Sequence, residues 1–377
     1  MNIAINTRFL IKDKLEGIGR FTFETIKRIC INNPEHTFYL LFDRMYDKEF
    51  VFAKNVKPVI IPFQARHPLL WKFWFHFQLP RVIRKINPDV FISTDGYVPR
   101  GITMPIVNVI HDLNFEHNPH HVPKGVLHYY KKYFPLYAQA STRIATVSEF
   151  SKQDIMSKYA IPESNIDVVY NGVSSVFKPL HNEQKQIVKQ QFTNGNDFFV
   201  YVGSLHPRKN IERLFEAFEQ FKRTTLSPLA LVIVGEAMFM SKKIQSAFSK
   251  NAFKHDIIFT GRVPDETLAK LIASAYALTY VPLFEGFGIP LLEAFACDVP
   301  VITSNCTSMP EVVGDAALLC DPKSPDDIMR AMIRITEDPE IRKQLIEKAA
   351  VQRQKFSWDI TAEKLWKSVL KSVNANQ

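Results

Sequence analysis

The sequence predicts an α/β protein made of two doubly wound units facing across a cleft, and three observations carry that prediction. Short β-branched runs alternate with longer amphipathic segments from end to end, the pattern of parallel strands joined by crossover helices. At 377 residues the chain exceeds what one core usually supports, which points to two domains. A polar stretch from Lys178 to Asn196, holding Pro179 and Gly195, interrupts the series near its middle and reads as a linker. The expected division is 1–180 and 181–357.

Strands are expected at Asn2 to Asn6, Phe38 to Phe42, Val59 to Ile61, Val90 to Ser93, Ile106 to Ile110, Arg143 to Val147 and Ile166 to Tyr170. Helices fall near 19–32, 71–86, 124–140 and 149–159. The second series opens with Phe198 to Val202 and runs through Leu229 to Val234, Asp256 to Thr260, Ala277 to Val281 and Val299 to Thr303. Within it, Ile211, Leu214, Phe215 and Phe218 share one helical face. Helices near 325–335, 339–354 and 358–373 close the chain. Units of this kind bind ligands outside the carboxyl ends of their strands, so residues directly after strands are the candidates for chemistry.

Hydrophobic content of 46% with 23% charged residues is ordinary for a globular chain and does not indicate disorder. Cys30, Cys297, Cys306 and Cys320 form no C-x-x-C pair and read as buried thiols in a reducing compartment. Met1 is followed at once by a strand pattern and no run reaches transmembrane length, so a cytoplasmic location is expected. The net charge of +9 favours an anionic partner, either a phosphorylated substrate or an acidic membrane surface. Nucleic acid ranks last, because the basic residues are spread along the chain and form no recognition element.

The most informative segment is Glu285-Gly286-Phe287-Gly288-Ile289-Pro290-Leu291-Leu292-Glu293, two carboxylates bracketing a glycine turn that runs into a helix. Pro290 suits the first helical turn, whose N–H groups attract phosphate. A carboxylate sits badly beside a diphosphate, so Glu285 and Glu293 are expected to accept hydrogen bonds from sugar and ribose hydroxyls. By spacing alone, an ordinary strand-to-helix turn with a solvated Glu293 reads the same way.

Gly203-Ser204-Leu205-His206-Pro207-Arg208-Lys209-Asn210 follows the first strand of the second series. Arg208 and Lys209 would enter a helix N-terminus, where cations oppose the macrodipole unless an anion lies between. Glu236 ends the next strand and is a weaker candidate for the same region. His111-Asp112 directly follows the strand Ile106 to Ile110, where a histidine can hydrogen-bond a reacting hydroxyl. Gly17-Ile18-Gly19-Arg20 opens a helix and can grip an acceptor, with Arg20 available for an anion. It fails as a nicotinamide fingerprint, because Thr22 stands where a glycine is needed. The run from Trp71 to Phe77, followed by Arg81, Arg84 and Lys85, fits either a helix partly in the core or one lying on an anionic membrane, and the core reading is preferred.

Taken together these segments resemble the retaining glycosyltransferases of family 4, which have the GT-B fold of two facing Rossmann-like domains. The resemblance spans nearly the whole chain. It rests on Gly17 to Gly19, His111-Asp112, Val147 to Ser151, Asn171-Gly172-Val173, Gly203 to Lys209, the E-x7-E pair Glu285 and Glu293, and the tract Ser308 to Ala317. It implies that Glu293 holds the donor ribose, Glu285 the sugar hydroxyls, Lys209 and Arg208 the diphosphate, and that backbone from Phe287 through Gly288 to Ile289 also serves the donor. His111 would act at the sugar, and residues 358–377 would pack on the first domain. Many members carry Arg where this chain has Ser204, which shifts weight onto Arg208. No metal or other cofactor is implied, in keeping with the lack of a D-x-D cation site.

The wording of the motifs is most like bacterial mannosyltransferases, so GDP-mannose ranks first as donor and UDP-sugars next, with a glycan or lipid-linked acceptor in cell-surface polysaccharide synthesis. A peripheral position at the inner membrane face goes with a lipid-linked acceptor. Two rival classes share the architecture: nucleotide-sugar epimerases, which lack the E-x7-E pattern, and non-catalytic scaffolds, against which intact Lys209, Glu285 and Glu293 argue.

Overall fold

The computed structural model describes residues 1–236 and 241–375. They form two compact units, the first from Met1–Asn171 with Ser357–Gln377 and the second from Gly172–Phe356.

Unit 1 contains β1 (Asn2–Asn6), β2 (Thr37–Phe42), β3 (Val56–Ile60), β4 (Val90–Ser93), β5 (Ile106–Val109), β6 (Arg143–Thr146) and β7 (Ile166–Val168), in the order β3-β2-β1-β4-β5-β6-β7. Unit 2 contains β8 (Phe198–Val202), β9 (Ala230–Val234), β10 (Ile257–Gly261), β11 (Ala277–Tyr280), β12 (Val301–Ser304) and β13 (Ala317–Cys320), in the order β10-β9-β8-β11-β12-β13. All these pairings are parallel. Each sheet grows outward from a central strand and then restarts on that strand's other side. Strand order therefore reverses between β1 and β4, and again between β8 and β11. The loops after those strands diverge and open a crevice at the carboxyl edge. Central strands such as β8 (FFVYV) and β9 (ALVIV) are buried along their length, as sheets covered on both faces require, whereas the edge strands β3 and β10 are partly exposed.

Two expectations are corrected. The stretch from Lys178 to Asn196 is not a linker, because Asn182–Thr193 is a helix within unit 2 and the passage between units falls at Asn171 and Gly172. That helix buries Val188 and leaves Ile187 exposed, so its polar sequence concealed it. Strand β13 was not expected either, since Ala-Leu-Leu-Cys is too short to show a period and is defined by its pairing with β12.

The aromatic and basic segment runs through a helix (Pro68–Phe73), a wide π-turn (Trp74–Gln78) and a second helix (Leu79–Ile86). Trp71, Trp74, Phe75, Leu79 and Ile83 enter the core beside Tyr97, Tyr129 and Tyr137, while Leu69, Leu70, Phe73 and Phe77 lie exposed. The segment is thus core on one side and apolar surface on the other. His76 sits near the Tyr137 hydroxyl at 3.2 Å, and burial, aided by Arg100 and Lys72, pushes its pKa down to about 4. Among the described residues no helix is long and apolar enough to cross a membrane.

The last helix (Trp358–Asn374) belongs to unit 1. Trp358 meets Phe21 edge-on at 6.3 Å, and Arg28 binds Asp359 at 2.6 Å. Asp167, the middle residue of β7, accepts hydrogen bonds from Arg143 (2.7 Å), Ser368 (2.6 Å) and Lys371 (3.0 Å). Burial works to raise the Asp167 carboxyl, and these three donors overcome it, leaving a pKa of about 2. Its ionised form therefore stabilises the fold above an ordinary aspartate pKa, and that contribution fades as pH falls toward 2. Lys371 is largely exposed and screened. Asp167→Asn should cost roughly 1–2 kcal/mol in urea unfolding at neutral pH, with the gap to wild type closing as pH falls below about 4.

Candidate active site

In unit 2 the site is built where strand order reverses. After β8 the chain turns at Gly203, whose φ is 146°. The Gly203 N–H donates to the Val234 carbonyl at 2.9 Å and the Gly235 N–H to the Gly261 carbonyl at 3.0 Å, joining the ends of β8, β9 and β10. A Cβ on Gly235 would lie 2.0 Å from the Gly203 oxygen, so only glycine lets the two loops pass.

Pro207–Lys209 then makes a single 3-10 turn, capped by the His206 ring nitrogen, which accepts from the Arg208 N–H at 3.3 Å. Asn210 is buried at φ 64°, and its side-chain amide donates to the carbonyls of Val281 (2.9 Å) and Pro322 (2.7 Å). The Leu283 N–H donates to the Arg208 carbonyl at 2.8 Å. These bonds tie the turn after β8 to the loop after β11 and aim Arg208 and Lys209 at Glu285.

Both cations pair with the same Glu285 oxygen, Oε1. Arg208 Nη1 also donates to the Phe284 carbonyl (3.2 Å), and Lys209 Nζ to the Tyr280 hydroxyl (2.5 Å). Ser308 Oγ donates to the Glu285 carbonyl at 2.9 Å and fixes the loop from below. Burial opposes ionisation of Glu285; the charges of Arg208 and Lys209, with hydrogen bonds from Lys209 and Tyr280, overcome it and hold the carboxyl below its ordinary value. Burial and the Glu285 charge drive the Tyr280 hydroxyl well above its usual pKa, so it remains a donor. Tyr201 stacks on Tyr280 with centroids 6.1 Å apart, and its hydroxyl donates to the Ser204 carbonyl at 3.0 Å.

Gly288, at φ 92°, caps the helix Ile289–Ala296, and a Cβ there would fall 2.9 Å from Met309 Cε. Glu293 lies half-buried in the second turn of that helix. The Phe287 ring packs edge-on against Phe356 at 5.6 Å, which leaves its backbone as the part that can face a ligand. Glu236 stands 4.0 Å from Arg262.

In unit 1, His111 follows β5, and its Nε2 lies 2.9 Å from the Thr94 carbonyl. A carbonyl only accepts, so Nε2 carries the proton and Nδ1 is the acceptor. Burial lowers the His111 pKa against the opposing effects of that hydrogen bond, Asp112 and Asp95, so the ring is neutral at pH 7. Phe21, one turn into the helix Ile18–Asn32 that Gly17 caps, meets the imidazole edge-on at 5.0 Å. Ser151 Oγ donates to the His111 carbonyl at 3.2 Å, and Ser148 caps the helix Glu149–Tyr159. The fold thus joins the Gly17 loop, His111 and the Val147 to Ser151 motif.

Other expected site residues have structural partners. The Asp112 carboxylate accepts the Asn114 N–H at 2.9 Å. Arg20, expected to be available for an anion, lies 3.7 Å from Glu24, a carboxylate also bound by Arg28 at 2.6 Å. Gly19 passes so close to Phe9 that a Cβ would sit 2.7 Å from its carbonyl oxygen.

Sequence reasoning gave no role to Tyr201, Tyr280, Asn210 and Ser308, which hold the charged residues in place. It also missed Arg8 and Asp95. Arg8 Nε donates to Asp95 at 2.5 Å, and the guanidinium lies over the rings of Tyr97 (4.3 Å), Phe9 (4.7 Å) and Phe75 (5.2 Å). Their positions just after β1 and β4, at the reversal in unit 1, were the available signal.

Comparison with known proteins agrees with this architecture. Residues 15–176 match the model for Glycosyltransferase Family 4 and residues 182–352 match that for Glycosyl transferases group 1, leaving only 1–14, 177–181 and 353–377 outside. The chain is 28% identical to O-antigen chain mannosyltransferase B of Escherichia coli, over 93% of this chain and 94% of that protein. Its fold is similar to that of sucrose-phosphate synthase from Thermosynechococcus elongatus, with a TM-score of 0.80 at 14% identity and 100% of both chains covered. It is also similar to Anabaena HepE, solved in complex with UDP-glucose, with a TM-score of 0.76 at 16% identity over 98% of this chain and 100% of that one.

The glycine contacts make a paired test. Gly235→Ala should destabilise unit 2 by about 3 kcal/mol or more, through the clash with Gly203. Gly261→Ala has a φ of 69° but open space around its Cβ, and should cost only about 1–2 kcal/mol. Equal losses in thermal melts would show that close approach of the two loops does not matter.

Proposed function

We propose, for a chain that belongs to the family 4 glycosyltransferases, that it moves mannose from GDP-mannose to a hydroxyl of a glycan or lipid-linked acceptor. The reaction retains the anomeric configuration and needs no metal. One observation carries the reading: two cations converge on a buried, ionised carboxylate at the strand reversal of unit 2, beside a glycine-capped helix N-terminus. The likeness to the Escherichia coli O-antigen chain mannosyltransferase B supports mannose as the sugar.

In this reading Arg208 and Lys209 bind the diphosphate, and the N–H groups from Gly288 onward share its charge. Ser204 and Gly203 lend backbone to the same anion. Glu285 accepts from sugar hydroxyls and Glu293 from the ribose. The bond between the anomeric carbon and the diphosphate oxygen breaks, and the acceptor oxygen bonds to that carbon on the same face. The acceptor proton passes to the departing phosphate oxygen. Charge growing on the leaving group is met by cations already in place, which is where the rate gain arises. On unit 1, His111 accepts a substrate hydroxyl through Nδ1, with Asp112, Arg20 and the turn from Gly17 to Gly19 shaping the acceptor side. UDP-sugars are the second donor class, supported by the likeness to HepE with its UDP-glucose.

Lys209→Ala and Glu285→Ala should each lower transfer by about 100-fold while the protein stays folded. In a thermal-shift panel of GDP-, UDP-, dTDP- and ADP-sugars, the true donor at 100 times its Kd should add about 3 kcal/mol of stability. Full turnover in both variants, or no shift with GDP-mannose, would remove the corresponding assignment. EDTA should leave activity intact; strict dependence on added magnesium or manganese would contradict the metal-free reading.

A further inference from the structure

The charge of the chain is unevenly shared. Unit 1 holds 25 Lys and Arg against 17 Asp and Glu, so +8 of the net +9 lies there. Within it, residues 62–88 and 117–148 carry nine Lys and Arg and not one carboxylate. The two stretches are neighbours in space: Trp71 stacks on Tyr130 with centroids 5.7 Å apart, and His76 meets Tyr133 at 4.9 Å.

This basic region also exposes a connected apolar patch. Phe63 (61% exposed), Phe73 and Phe77 (49%) touch in series, at 5.7 Å and 6.3 Å between ring centroids, with Leu69 (73%) and Leu70 on the same helix. The opposite side of that helix is fixed in the core by Trp71, Trp74 and Phe75. Exposed Arg66, Lys72, Arg81, Arg84 and Lys85 flank the patch in sequence. Contiguous exposed aromatic surface in a stretch of one sign of charge marks an interaction site. A second copy of this chain would set like charges against each other across an isologous contact, with no acid in either stretch to answer them. Acidic headgroups over a hydrocarbon layer answer both the charge and the apolar rings.

We propose that the outer face of residues 63–85 docks unit 1 on an anionic lipid surface. Phe73 and Phe77 enter the headgroup boundary, and Arg66, Lys72, Arg81 and Arg84 meet acidic headgroups. The buried side of the helix keeps the patch rigid, so docking costs little ordering. This inference needs no donor and stands apart from the assignment of the transferase site.

The test is sedimentation of the full chain with phosphatidylcholine vesicles, with and without phosphatidylglycerol, at low and high salt. Binding is expected only where phosphatidylglycerol is present. Arg81→Glu/Arg84→Glu should weaken it by at least about tenfold. Phe73→Ser/Phe77→Ser should abolish the part that survives high salt. Lys242→Glu/Lys243→Glu, on an exposed helix of unit 2, should leave binding unchanged. Melting temperature and nucleotide-sugar shift confirm that each variant is folded; if the Phe variant fails that check, the Arg pair decides alone. No sedimentation at low salt, equal loss in the Lys242/Lys243 control, or capture by duplex RNA without capture by vesicles would each overturn the proposal.

Discussion

A buried carboxylate that must stay charged governs the architecture of unit 2. Taking Glu285 out of water opposes its ionisation by several kcal/mol unless charge and hydrogen bonds meet it. Arg208 and Lys209 can reach it only because β8 and β11 are neighbours, and they are neighbours because strand order reverses there. Gly203 and Gly235 follow from the same demand, since their loops must pass with no side chain between them. In the proposed reaction an arriving diphosphate takes up the two cations, and Glu285 turns to sugar hydroxyls. Charge is exchanged between partners already in place, with little rearrangement of the frame.

Unit 1 solves a similar problem at its own reversal. Asp95, almost wholly buried after β4, is held by Arg8 after β1 and by Asn6, Ser93 and the Tyr97 N–H. Three aromatic rings surround the guanidinium; burial works to lower its pKa, and Asp95 and Tyr97 together overcome that and raise it. Asp95 adjoins Thr94, whose carbonyl fixes the proton on His111. The ion pair thereby bears on the histidine tautomer through the backbone.

The layered α/β fold was legible because central parallel strands are buried on both faces and so read as continuous apolar runs, β8 and β9 most plainly. Charged residues beside glycine turns were legible too, as Arg208, Lys209 and Glu285 show. The elements that escaped have no local signature. Asn182–Thr193 is a helix whose polar face dominates its composition, and β13 exists by pairing with β12. Tyr280 and Ser308 look like any strand or turn residue until the fold sets them against Lys209 and the Glu285 backbone. The Glu24 carboxylate beside Arg20 was equally hidden, although the two stand one helical turn apart.

The placement of the final helix has a consequence for biosynthesis. Residues 172–356 leave the ribosome as one continuous stretch, but the sheet of unit 1 lacks one covering helix until residues 357 onward are made. At about 5–20 residues per second, the 185 intervening residues impose a wait on the order of ten to forty seconds. Meanwhile Phe21 lacks Trp358, and Asp167 lacks Ser368 and Lys371. The first unit to begin synthesis is therefore the last to be completed.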